Sequence, residues 1–307
     1  MKLLLCKPRG FCAGVERAID TVIKAIKLWG APIYVKHEIV HNKHVVNDLK
    51  AKGAVFVEDL KEVPEGERII YSAHGVSPEV RKLAKKRNLI EIDATCGLVT
   101  KVHSAAKRYA AKGYQIILIG HKNHVEVIGT AGEAPDVTTI VESTEDVEKL
   151  NFKSNEKLFY TTQTTLSLDD VKSITIALKK KYPHIETLPS SSICYATTNR
   201  QLALQQITQI VDLVLVVGDP TSSNSNRLKE VAQNRSIPSY LINDEMEINQ
   251  NWLENVKTIG MTAGASTPEV IVQNCINKLK EFGVNEVEDV TYIKEDVFFQ
   301  LPKQVLA

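Results

Sequence analysis

No apolar run in the chain approaches the ~20 residues that a membrane-spanning helix needs. Met1-Lys2-Leu3-Leu4-Leu5-Cys6 starts like a signal peptide, but its apolar run is too short for a signal core and Lys7-Pro8-Arg9-Gly10 follows at once. It reads as a β-strand. An excess of one charge is missing too: 38 Lys and Arg face 37 Asp and Glu, a net +1. Such a chain offers no basic face to nucleic acid or to an anionic membrane. Cys-x-x-Cys does not occur, which argues against a zinc finger or ribbon. Gly-x-x-x-x-Gly-Lys-Ser/Thr and Gly-x-Gly-x-x-Gly are also absent, so neither a P-loop nor a standard dinucleotide site is indicated. There is no linker, low-complexity tract or charge block. The expectation is a cytoplasmic globular protein in which thiols stay reduced, and its five cysteines serve metal binding, catalysis or plain burial.

Three of those cysteines share one setting. In Gly10-Phe11-Cys12-Ala13-Gly14, Asp93-Ala94-Thr95-Cys96-Gly97 and Ser192-Ile193-Cys194-Tyr195-Ala196, a short apolar run ends, a cysteine sits in the turn and a helical pattern begins. The echo is quantitative. His41 lies 29 residues after Cys12, His124 lies 28 after Cys96, and Ser222 lies 28 after Cys194. A second polar loop follows 33, 40 and 44 residues later, at His74, Thr164 and Ser266. Repetition of this kind outweighs any single motif. Strands alternate with helices throughout, which implies small parallel sheets with right-handed crossovers. Every polar loop lies at the carboxyl end of a strand, where ligands of such sheets bind.

The fold expected is therefore α/β, with three pseudo-equivalent units of small, mostly parallel sheets around a central cavity. The divisions are residues 1–95, with the N-terminal strand and Cys12 turn included, 96–191, 192–282, and an extended tail 283–307 that packs back on the body.

Three thiols without a fourth in a matching turn suggest a metal centre with one open position. A cluster held by three cysteines would leave one iron free to bind substrate; the competing reading is three buried apolar cysteines. Cys6, ending Leu3-Leu4-Leu5, and Cys275, among Val270, Ile271, Ile276 and Leu279, read as core. His41, His74, His124, Thr164, Thr165, Ser222, Ser223, Asn224 and Ser266 supply donors at strand ends, several of them just before helix N-termini, and suggest a phosphate or diphosphate pocket. Glu126 reads as the one carboxylate within these loops, a candidate acid if partly dry and near an anion. His37, His44, His103, His121 and His184 read as structural or surface residues.

These stretches, with Glu38-Ile39-Val40-His41-Asn42, Ala73-His74-Gly75-Val76, His124-Val125-Glu126-Val127, Thr162-Gln163-Thr164-Thr165-Leu166-Ser167, Asn199-Arg200-Gln201, Ser222 to Arg227 and Thr262-Ala263-Gly264-Ala265-Ser266, resemble the hydroxymethylbutenyl diphosphate reductase family of the non-mevalonate isoprenoid pathway over essentially the whole chain. The resemblance implies a trefoil around a [4Fe–4S] cluster, with Cys12, Cys96 and Cys194 as ligands and one open iron. It implies that His41, His74, His124, Ser222, Ser223, Asn224 and Ser266 surround a diphosphate, with Thr165 beside them. Glu126 and Thr164, with His124 adjacent, would position the substrate hydroxyl and relay protons. The activity implied is two-electron reductive dehydroxylation, with electrons from ferredoxin or flavodoxin and the chain acting as a monomer. One departure is Gly97, where many members are expected to carry proline. The rival classes are a non-enzymatic iron–sulfur or zinc sensor, for which the sequence has no output element, and a thiol phosphotransferase, which needs one activated cysteine rather than three.

Overall fold

The computed structural model describes residues 1–306. In chain order the strands and α-helices begin with β1 (Lys2–Lys7), α1 (Ala13–Trp29), β2 (Ile33–Lys36), α2 (Lys43–Ala51), β3 (Ala54–Val57), β4 (Arg68–Tyr71), α3 (Pro78–Lys86) and β5 (Ile90–Asp93). Next come α4 (Gly97–Ala110), β6 (Gln115–Ile119), α5 (Val125–Ala131), β7 (Thr138–Val141), α6 (Thr144–Lys149), β8 (Leu158–Thr162), α7 (Leu168–Lys181) and β9 (Glu186–Thr187). The last part holds α8 (Tyr195–Ile207), β10 (Leu213–Val217), α9 (Ser223–Gln233), β11 (Ser239–Ile242), β12 (Thr258–Ala263), α10 (Glu269–Glu281) and β13 (Glu286–Thr291).

These strands form three sheets, ordered β3-β2-β4-β5, β7-β6-β8-β9 and β11-β10-β12-β1-β13. Every pairing is parallel. The α/β class and the three small parallel sheets agree with the sequence reading. The pairing differs from the sequence division at one point. The division keeps β1 in the first unit, yet β1 lies between β12 and β13, with Leu3 opposite Ile259 and Val287. With β1 in that place, the first four strands of each sheet repeat one order, and the fourth strand of each delivers a cysteine: β5 to Cys96, β9 to Cys194 and β1 to Cys12. The segment after Gly283, read as extended tail, supplies β13 as a fifth strand.

The chain forms two compact units. One comprises Met1–Val15, His41–Val45 and Tyr195–Phe298; the other comprises Glu16–Val40, Val46–Cys194 and Phe299–Ala307. The five-stranded sheet belongs to the first. Its inner strands β1, β10 and β12 are covered on both faces, so they read as near-continuous apolar runs rather than alternating ones, while β13 at the edge is exposed. Leu3, Leu5, Leu215 and Val217 pack toward Val272, Cys275 and Leu279 of α10. Leu4, Cys6, Val214 and Val216 pack toward Ala203 and Leu204 of α8 and Leu228 of α9. Each such fully buried aliphatic side chain contributes about 1.5–3 kcal/mol relative to exposure.

The second unit contains both four-stranded sheets. Ile117 and Ile119 pack with Ile174 and Leu178 of α7, while Ile116 and Phe159 pack with Ala105 and Ala106 of α4. His103 of α4 is buried and sits beside Gly75 and Gly129, where a Cβ would lie 3.0–3.1 Å from its ring. Its Nδ1 lies 3.1 Å from Glu133. The histidine read as merely structural thus spaces the His74 loop from the helix that carries Glu126.

Several helices start as their sequences require. Ser77, Ser167 and Ser222 accept hydrogen bonds from backbone N–H groups of α3, α7 and α9. The Thr267-Pro268-Glu269 opener behaves differently. The Thr267 hydroxyl donates to the Val217 carbonyl at 2.9 Å, and Pro268 takes the cap position without a side-chain cap. Ser225 is fully buried between Gly218 and Gly264, and a Cβ at either glycine would overlap its hydroxyl. Gly264→Ala should therefore overpack this spot and lower stability by about 1–3 kcal/mol, read as a lowered thermal midpoint. An unchanged midpoint would show that Ser225 has room to turn away.

Candidate active site

The three cysteine turns share one backbone contact. In the first unit the Cys12 N–H donates to the Ala265 carbonyl at 3.2 Å. In the second, the Cys96 N–H donates to Ala73 at 2.9 Å and the Cys194 N–H to Thr164 at 3.0 Å. Each acceptor lies within or next to a predicted donor loop: beside Ser266, beside His74, and at Thr164 itself. A parallel pair of strands ends together, so the turn after one strand meets the turn after its neighbour. The main chain fixes each cysteine turn through its N–H.

None of the five cysteines is in a disulfide. Cys12, Cys96 and Cys194 are half-buried, and each immediately precedes a helix. Cys6 and Cys275 are fully buried, and burial first of all pushes both thiols up to about 12. They are core residues, as their apolar settings suggested.

In the first unit, the donor loops are knitted around the Cys12 turn. Asn224 accepts from the Ala265 N–H at 2.9 Å through Oδ1 and donates to Thr197 Oγ1 at 3.3 Å. Ser222 caps α9, and Ser223 opens it. The Ser266 hydroxyl donates to the His41 carbonyl at 2.9 Å, so its hydrogen is committed to the protein. Asp219 accepts from the Lys43 N–H at 2.9 Å and from the Thr221 N–H and hydroxyl at 2.9 and 2.7 Å. Burial pushes its carboxyl up, but those donors outweigh it and hold it below the usual range. Glu126 is therefore not alone among loop carboxylates. Asp219 lies in the Ser222 loop and anchors the His41 segment to it. The Tyr195 hydroxyl accepts from the Ala13 N–H at 3.3 Å, and burial, reinforced by Cys12, keeps the phenol protonated.

In the second unit, Glu126 is buried at 2% exposure. It accepts from the Thr164 N–H at 2.6 Å and from the Thr164 hydroxyl at 2.9 Å. The same Thr164 carbonyl holds Cys194, so one residue links the carboxylate to a cysteine turn. His124 caps α5 by accepting the Glu126 N–H at its Nδ1, 3.2 Å away. The neutral ring then carries its proton on Nε2, as a donor. His74 stands edge-on to His124, with ring centroids 6.1 Å apart, and its Nδ1 lies 3.2 Å from Ser72 Oγ. Thr165 accepts from Gln163 Nε2 at 2.9 Å. Two residues missed in the sequence sit beside Cys96. Arg17 donates to the carbonyls of Thr95 and Asp93 at 3.0 and 3.1 Å. Burial lowers its guanidinium pKa, and the charges of Asp93 and Cys96 oppose that shift. The Asp93 carboxylate binds Arg81 at 2.7 Å and the Thr95 N–H at 3.0 Å. Nothing local in the sequence marks Arg17, because it acts on backbone reached from another element, and Asp93 stands in the sequence only as part of the Cys96 turn.

A family model described as LytB protein matches residues 3–280. The chain belongs to the LytB protein family. Among curated members it is similar to a protein of Protochlamydia amoebophila (strain UWE25), 75% identical over 306 residues, covering 100% of this chain and 98% of that one. It is similar to a protein of Chlamydia pneumoniae at 64% identity, covering 99% and 98%. Both are named 4-hydroxy-3-methylbut-2-enyl diphosphate reductase. Its fold matches the solved structure of the E-1-hydroxy-2-methyl-but-2-enyl-4-diphosphate reductase from Plasmodium falciparum, with a TM-score of 0.97, 52% identity and coverage of 100% and 96%. A second solved structure, of (E)-4-hydroxy-3-methyl-but-2-enyl diphosphate reductase, matches at a TM-score of 0.65 and 31% identity, covering 91% and 99%. Among the described residues, no helix is long and apolar enough to cross a membrane.

Asp93 gives the turn before Cys96 a pH dependence. Burial pushes its carboxyl up from 3.8, but Thr95 and Arg81 outweigh burial and hold it lower. The folded value is depressed, so its stabilisation is present above the ordinary value and lost as pH falls through the folded one. In pH-dependent thermal denaturation, Asp93→Asn should lower the midpoint at neutral pH, and the gap to the parent should close below about pH 4. A gap that stays constant into acid would contradict this role.

Proposed function

We propose that the chain catalyses the two-electron reductive dehydroxylation of (E)-4-hydroxy-3-methylbut-2-enyl diphosphate to isopentenyl diphosphate and dimethylallyl diphosphate, on a [4Fe–4S] cluster. The observation that carries this reading is the repeated cysteine turn, with its sulfur at a helix N-terminus and its N–H bonded to a donor loop. The residues fit the group: three half-buried cysteines outside any disulfide are a soft donor set suited to iron–sulfur ligation. Cys12, Cys96 and Cys194 would hold three irons. The bound cluster supplies electrons and, at its open iron, a Lewis acid for the leaving hydroxyl.

The chain's own residues do the rest. The reaction consumes two electrons and two protons and releases water; one proton leaves with the hydroxyl oxygen and the other is added to carbon. Glu126, buried and bonded to Thr164, is placed to move a proton through the Thr164 hydroxyl. His124 with Nε2 protonated, His41, His74, Ser222, Ser223, Asn224 and Ser266 bind the diphosphate and fix the substrate's orientation, with Thr165 flanking Thr164. The Ser266 hydroxyl, bonded to the His41 carbonyl, must turn from it to donate to a phosphate oxygen. Electrons come from a ferredoxin or flavodoxin in the cytoplasm, acting on a monomer. A sensor built on the same cysteines would leave the buried Glu126–Thr164 pair without a task.

Protein isolated without oxygen should contain about four iron and four sulfide per chain. Cys12→Ser, Cys96→Ser and Cys194→Ser should each lose the cluster and turnover; three variants that keep both would end the cluster assignment. Glu126→Gln should keep the cluster and lose turnover by about 10²-fold or more in a dithionite–viologen assay. Full activity would remove Glu126 from the proton path.

A further inference from the structure

From Thr291 to Gln300 the chain is exposed except at two positions, Glu295 and Phe299, which turn inward. Each inward residue reaches the surroundings of a different cysteine turn.

Glu295 acts through Arg200, in the first unit. Arg200 is fully buried, and its guanidinium is divided between backbone carbonyls and the Glu295 carboxylate. Nε and Nη2 donate to the Gly10 carbonyl at 3.2 and 2.8 Å, and Nη2 also donates to Phe11 at 3.2 Å. Nη1 donates to Ala196 at 3.0 Å and to the Glu295 carboxylate at 3.1 and 3.3 Å. Asn199 donates to the same carboxylate at 3.0 Å. Glu295 is the anion paired with this buried cation, and two of the three carbonyls that the cation grips, those of Gly10 and Phe11, precede Cys12. A buried guanidinium without its counter-charge is strongly disfavoured, so removing the Glu295 charge loosens the grip on Gly10 and Phe11.

Phe299 acts in the second unit. Its ring lies where a side chain at position 97 would project: a Cβ on Gly97 would meet Phe299 Cε1 at 3.1 Å and Cδ1 at 3.4 Å. The next residue, Gln300, accepts at its carbonyl from Arg17 Nε at 2.7 Å. Arg17 in turn holds the carbonyls of Thr95 and Asp93. The glycine at 97 is thus matched to an aromatic ring from the C-terminal segment.

We propose that Glu295 and Phe299 are positioning residues for the iron–sulfur cluster, fixing the turns of Cys12 and Cys96 through Arg200 and Gly97. The assignment rests on Cys12, Cys96 and Cys194 being cluster ligands. It makes the C-terminal segment part of the outer shell of the metal site, beyond its strand pairing at β13. Outer-shell partners of metal ligands act by orienting them.

The test uses the full chain isolated without oxygen as parent, Glu295→Gln, Phe299→Ala, and Phe298→Ala as control; Phe298 is the adjacent ring, 82% exposed. Iron release to the chelator ferrozine is followed by absorbance, with the electron paramagnetic resonance spectrum of the dithionite-reduced protein as a second readout. Glu295→Gln and Phe299→Ala should release iron about 10-fold faster than the parent, the lower end of what outer-shell substitutions cost, with an altered spectrum. Phe298→Ala should match the parent. Parental release and an unaltered spectrum in both inward variants would overturn the proposal, as would equal acceleration by Phe298→Ala. A parent that holds no iron would overturn the functional reading itself, and this assignment with it.

Discussion

The hydrogen bond from each cysteine N–H to the carbonyl of a neighbouring donor loop is the constraint on which the rest depends. It is a main-chain bond, so it places the cysteine through the backbone. It joins the turn after one strand to the turn after the adjacent parallel strand. Three sheets repeat it, at Cys12 with Ala265, Cys96 with Ala73 and Cys194 with Thr164. A donor side chain is thereby fixed next to each cysteine by the regular geometry of parallel pairing rather than by a specialised loop.

Around that frame, the charges of the turns are settled mostly against backbone. Asp219 holds the Lys43 and Thr221 N–H groups, Arg17 holds the Thr95 and Asp93 carbonyls, and Arg200 holds those of Gly10 and Phe11. Polar groups satisfied in this way leave the loops few alternative arrangements. Glu126 follows the same rule, taking the N–H and hydroxyl of Thr164.

Much of this was legible in the sequence, for physical reasons. A strand that ends in a turn and a helix writes an apolar run, small or polar residues, then a 3.6-residue period, and three such passages with matching spacings exposed the repeat. The donor loops stood out because Ser, Thr, Asn and His at strand ends also cap helices. What stayed hidden was non-local. Leu3-Leu4-Leu5-Cys6 reads as a strand in any sheet, and nothing in it says that it pairs with β12 and β13 rather than with β2. Asp219, Arg17, Arg200 and His103 look like ordinary polar residues, because each also has a partner on another element: Lys43, Thr95, Gly10 and Glu133 in turn. The Gly97 departure became interpretable only with Phe299 in view.

Mössbauer spectroscopy on protein enriched in iron-57 and kept free of oxygen tests most directly the claim that three turns hold one cluster with an open iron. One iron in four should be distinguishable from the other three, and its signal alone should shift when (E)-4-hydroxy-3-methylbut-2-enyl diphosphate is added. Four irons that remain equivalent and unmoved by substrate would contradict it.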